Sequence, residues 1–82
     1  MPNKLRVLSG DDLISFFESV GFTLSFSKGS HCKMSRMTSA GKQVIVVPRH
    51  KTVTKGTLKS IFNKASLYID EVRLRKFFYT DS

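Results

Sequence analysis

The chain has 82 residues, enough for one compact domain spanning 1–82, and sets 14 Lys and Arg against 6 Asp and Glu for a formal net charge of +8. A single cysteine excludes an intramolecular disulfide framework and suits a reducing compartment, and the longest apolar run, Val44 to Val47, is far too short to span a membrane. The opening Met1-Pro2-Asn3-Lys4 has no apolar stretch of the secretory kind, so a cytoplasmic location is expected.

A helix is predicted from Ser9 onward. Ser9 is a good N-cap, and Asp12 stands three residues on, where an acid completes a capping box. Leu8 and Leu13 are spaced for a hydrophobic staple, while Leu13, Phe16, Phe17 and Val20 recur at helical intervals until Gly21 ends the run. Asp11 and Asp12 in the first turn are explained by the helix dipole and the cap without invoking catalysis.

Period-two patterning follows. Phe22, Leu24 and Phe26 alternate with Thr23, Ser25 and Ser27, which predicts a strand half-buried on its aromatic face. Lys28-Gly29-Ser30 reads as a turn. From His31 to Met37 a second strand puts Cys32 and Met34 on one face and His31, Lys33 and Ser35 on the other. With the sulfur-bearing face inward, His31 and Lys33 point outward side by side, and Cys32 is a small core residue. Arg36 falls on the inner face, so the strand is expected to reach the sheet's end there. Thr38 to Gly41 is a loop, Lys42 to Val47 a β-branched strand, and Pro48 its stop.

A second helix is capped by Thr54 and buries a stripe of Leu58, Ile61, Phe62 and Ala65; a short third helix runs from Ile69 to Phe78. The fold class is therefore α+β: helix, three-stranded antiparallel meander, helix, short helix. Each long helix has one apolar stripe, so both should cover the same sheet face and leave the His31 face open.

The charges are unevenly placed. All six acids lie at Asp11, Asp12, Glu18, Asp70, Glu71 and Asp81, and none occurs between Ser19 and Ile69. That stretch holds nine cations: Lys28, Lys33, Arg36, Lys42, Arg49, Lys51, Lys55, Lys59 and Lys64. A polyanion would relieve their mutual repulsion, which points to nucleic acid, although a merely solvated basic surface has the same composition. An anionic membrane fits less well, because no extended apolar helical face accompanies these cations.

The carboxylate-free centre cannot hold a hard cation for metal-dependent nuclease chemistry, one Cys and two His are too few for a zinc site, and no Gly-rich phosphate loop is present. No metal or other cofactor is expected. What remains is metal-free chemistry on RNA, whose 2′-hydroxyl is its own nucleophile. His31 is a candidate general base, with Lys33 and Lys28 beside it to meet the developing phosphate charge; the alternative is a surface histidine that simply follows a turn. His50 is either a second catalytic group or a loop-ordering residue. Lys51, Lys55 and Lys59 form a candidate RNA-backbone stripe on or near the second helix.

Leu8-Ser9-Gly10 opening a helix, Val20-Gly21-Phe22 closing it, Lys28-Gly29-Ser30-His31, Val46-Val47-Pro48-Arg49-His50 and Lys55-Gly56-Thr57-Leu58 with Ile61 together resemble the HicA toxins, over about Leu5 to Phe78. The resemblance implies a fold like the double-stranded-RNA-binding domain and an mRNA-cleaving endoribonuclease toxin. It also implies a HicB-type antitoxin that masks the active site, with His31 at the position of the catalytic histidine. Two departures stand out: Cys32 where many members carry a second histidine, and Met34 where many carry an aromatic. Two other functions are weighed against this one: a non-catalytic double-stranded RNA-binding module, and a protein-interaction domain whose basic face docks an acidic partner.

Overall fold

The computed structural model describes residues 4–80; the N-terminal Met1, Pro2 and Asn3 and the sixth acid, Asp81, lie outside the described residues. The elements run α1 (Gly10–Ser19), β1 (Thr23–Lys28), β2 (His31–Thr38), β3 (Gly41–Pro48), α2 (Lys55–Ala65) and α3 (Glu71–Phe78). The strands form one antiparallel sheet in the order β1-β2-β3. This is the α-β-β-β-α layout of the double-stranded-RNA-binding domain with a short helix added. Among the described residues no helix is long and apolar enough to cross a membrane.

Local chemistry sets the boundaries. The Ser9 hydroxyl accepts from the Asp12 N–H and the Asp12 carboxylate accepts from the Ser9 N–H, so the capping box forms as its spacing predicts. Gly21 leaves the helix at φ 99° and Gly29 opens the two-residue β1-β2 turn at φ 58°, conformations that side chains with a Cβ resist. Thr54 caps α2 as expected; α3 begins at Glu71, with Asp70 as its cap rather than part of its first turn.

The core lies between the sheet and the helices. Leu13 and Phe17 of α1, Met34, Ile45 and Val47 of the strands, Leu58 of α2 and Leu74 and Phe78 of α3 are almost wholly buried, as are Leu8 and Phe22. Each such side chain contributes roughly 1.5–3 kcal/mol by leaving water. Phe16 of α1 stacks on Phe77 of α3 with centroids 4.2 Å apart, and Phe62 meets Phe78 edge-on at 5.4 Å. The two chain ends also pair, through a Leu5–Tyr79 bridge flanked by Arg6 N–H to the Phe78 carbonyl and Thr80 N–H to the Lys4 carbonyl, each 2.8 Å.

Two expectations are corrected. The first strand is not half-buried: β1 is exposed along its whole length, with Leu24 at 43% and Phe26 at 58%. It is an edge strand, and its register with β2 slips between Leu24 and Phe26, which are paired with Met34 and Lys33. Ser25 is the extra residue of this bulge, and its hydroxyl donates to the Lys33 carbonyl at 3.0 Å. Alternation therefore inverts at Ser25, and Phe26 and Lys28 emerge on the face opposite to Leu24.

The second strand does not stop at Arg36 but continues to Thr38. Arg36 does lie on the inner face, half-buried, and its charge is met there without a carboxylate. Its guanidinium donates to the Val20 carbonyl (2.7 Å), the Tyr68 carbonyl (3.0 Å) and, twice, the Gln43 side-chain oxygen, and it lies 4.6 Å from the Phe22 ring centroid.

Candidate active site

The helices cover one face of the sheet, and the other carries two transverse rows of side chains. In β2 every second residue is exposed at its start: His31 and Lys33 are open while Cys32 and Met34 are buried. Antiparallel register places Lys28 of β1 and Pro48 of β3 on either side of His31, and Phe26 and Val46 on either side of Lys33. Directly opposed residues point to the same face, so the rows Lys28–His31–Pro48 and Phe26–Lys33–Val46 lie next to one another. A shallow hollow of about 300 Å³ is lined by Phe26, Lys28, His31, Lys33 and Val46.

A second hollow of about 320 Å³ adjoins it, between the sheet and the start of α2. His31, Val46 and Pro48 line one side, and His50, Val53, Thr54 and Thr57 the other. Both histidines thus border one cleft, yet they differ in attachment. His50 is held: its carbonyl accepts from the Gly10 N–H at 2.8 Å, and its Nε2 lies 3.3 Å from the Ser30 hydroxyl. His31 has no side-chain hydrogen-bond partner among the described residues. An imidazole without a partner is available to exchange a proton with a bound molecule, whereas the His50 ring is engaged in the loop that frames the site.

The framework beneath is tight. The Arg49 N–H donates to the Ser30 carbonyl, tying the turn before His31 to the end of β3. The Arg49 side chain reaches Asp11 at 2.7 Å, and this bond raises the guanidinium above its ordinary range. A Cβ on Gly10 would overlap the Pro48 carbonyl oxygen and the Arg49 Cα, so only glycine lets α1 start against this loop.

Seven of the nine central cations sort into three groups. Lys28 and Lys33 stand beside His31. Arg36 is occupied on the inner face of the sheet, and Arg49, exposed, is paired with Asp11. Lys55 and Lys59 line a different hollow, with Lys4, Leu5 and Tyr79, on the side of α2 turned away from the cleft, while Lys51 is exposed in the loop before α2. Lys55 and Lys59 are therefore separate from the His31 site.

Sequence reasoning passed over Phe26, which joins the site only because of the bulge. A signal was present: Lys28 has the same parity as Phe22, Leu24 and Phe26, and a lysine on an inward face is rare. Cys32, 1% exposed, sits on the packed face as the alternation requires, so it borders the site only from behind.

A family model described as "HicA toxin of bacterial toxin-antitoxin" matches residues 10–67. The chain belongs to the HicA toxin family. It is therefore the toxin of a toxin–antitoxin pair, and the matched span begins with Gly10 and takes in all three strands, the cleft and α2. α3 and the paired chain ends lie outside that span. No curated protein matches the chain.

Proposed function

We propose that this HicA-family toxin is a metal-independent endoribonuclease that cleaves mRNA, with His31 as general base. The observation that carries the reading is the unpartnered His31 ring, exposed on the open face with Lys28 across from it and Lys33 two residues along. His31 takes the proton from a ribose 2′-hydroxyl, and the freed oxygen attacks the adjacent phosphorus. The bond to the 5′-oxygen breaks, leaving a 2′,3′-cyclic phosphate and a 5′-hydroxyl. Lys28 and Lys33 stabilise the extra negative charge on the non-bridging oxygens. The leaving oxygen is protonated by His50, a lysine or water. Lys51, Lys55 and Lys59 contact the backbone of RNA that extends past the cleft, supplying affinity without sequence readout. A HicB-type antitoxin masks the His31 face, and the pair acts in the cytoplasm.

The test pairs wild type with His31→Ala, expressed in a bacterial host and assayed on RNA in excess chelator. Growth arrest and chelator-resistant cleavage, both lost in the variant, are expected. Tight RNA binding by wild type without cleavage would instead favour a binding module, and absence of RNA binding at low salt a protein-docking domain.

A further inference from the structure

We infer that Phe26 is a stacking platform for an unpaired RNA base next to the phosphate held at His31, so that the site takes single-stranded rather than duplex RNA. The inference rests on the nuclease reading and deepens it. Six of the seven phenylalanines make ring contacts with other aromatic side chains among the described residues; Phe26 alone makes none. It is 58% exposed, on a face where its neighbours across the sheet are Lys33 and then Val46, itself 48% exposed.

An exposed aromatic is costly to leave in water, and the fold does not require this one there. Unbroken alternation from Phe22 would have turned Phe26 toward the helices. The bulge at Ser25 turns it, together with Lys28, to the His31 side, and one hollow is bounded by Phe26, Lys28, His31 and Lys33. Same-face neighbours along a strand are roughly 6–7 Å apart. A flat apolar ring one such step from a cation pair matches a nucleotide, whose base needs a stacking surface and whose phosphate needs positive charge. Bases in a duplex are stacked on one another and cannot reach the ring.

The chain has no tryptophan, so Phe26→Trp introduces a single indole reporter. In a His31→Ala background, three probes are compared by titration: a mixed-sequence 12-nucleotide RNA, its duplex, and an abasic ribose-phosphate chain of equal length. Quenching of the indole by the single strand, and not by the duplex or the abasic chain, is expected. Phe26→Ala should bind the single strand roughly tenfold more weakly, with abasic binding and melting temperature unchanged. Equal single-strand binding by Phe26→Ala and His31→Ala parent, or an indole insensitive to RNA, overturns the inference and leaves the nuclease reading intact. Equal loss of abasic binding overturns it too, by making the effect structural. If Phe26→Ala weakens only an acidic protein partner, the ring belongs to a protein interface and the inference falls. Absence of binding to every RNA probe by the His31→Ala parent and by wild type would defeat the nuclease reading itself.

Discussion

The Cα of Gly10 rests against the carbonyl of Pro48, with no room between them for a methyl group. Through this contact the first turn of α1 supports the loop that carries Arg49 and His50. Gly10→Ala should therefore cost about 2–3 kcal/mol, because backbone on both sides must move. Gly56, in the first turn of α2, makes the opposite case: a Cβ there would meet nothing within 4 Å. Gly56→Ala should be neutral or stabilise by about 0.5 kcal/mol. Chemical denaturation of the two variants checks both signs.

Arg36 should not tolerate lysine. A single ammonium cannot reach Gln43, the Val20 carbonyl and the Tyr68 carbonyl together, nor lie flat on the Phe22 ring. Arg36→Lys is expected to lose roughly 2–3 kcal/mol, whereas Lys42→Gln, exposed at the start of β3, should stay within about 0.5 kcal/mol. Thermal melts of the pair give the comparison.

Asp12 predicts a pH dependence. Its bonds to the Ser9 backbone and hydroxyl hold the carboxyl below its ordinary range. A depressed folded pKa means that the stabilisation is complete above the unfolded value, near about 4, and disappears as pH falls through the folded one. The carboxyl is largely solvated, so the effect is small: Asp12→Ala should be about 0.5 kcal/mol less stable at pH 7. That gap should close as the pH is lowered below about 4, which melts across pH 2–7 will follow.

RNA binding should separate the lysines by RNA length. Lys28→Gln and Lys33→Gln are expected to weaken short and long RNA alike, each lowering the salt slope by about 0.7 for a single strand. Lys55→Gln and Lys59→Gln, on the far side of α2, should affect only RNA long enough to pass beyond the cleft. Binding isotherms over a salt series, with two RNA lengths, distinguish the groups.

Much of this was legible in the sequence because the signals were local. Ser9, Asp12 and Gly21 bracket α1 within a dozen residues, and alternation from His31 to Met34 places the histidine on the open face and Cys32 in the core. The failures share a different cause. Arg36 looked like a strand terminator because its partners, Val20 and Tyr68, are 16 and 32 residues away and two of its acceptors are backbone carbonyls. The bulge escaped notice because Ser25 fits the polar half of an alternating pattern whether or not the register slips. Lys55 and Lys59 could be placed on a helix, but which side of α2 faces the cleft depends on how it packs against β3.

The bare sheet face also bears on colloidal behaviour. β1 is an edge strand, and Phe26 on it and Val46 on β3 leave apolar surface on this face. Such an edge invites a second copy to pair or stack, and lysines are the usual deterrent. Lys28 and Lys33 stand within that surface, so neutralising them removes a repulsive barrier as well as the proposed phosphate contacts. Variants at these two positions will have a concentration at which they self-associate that wild type does not reach.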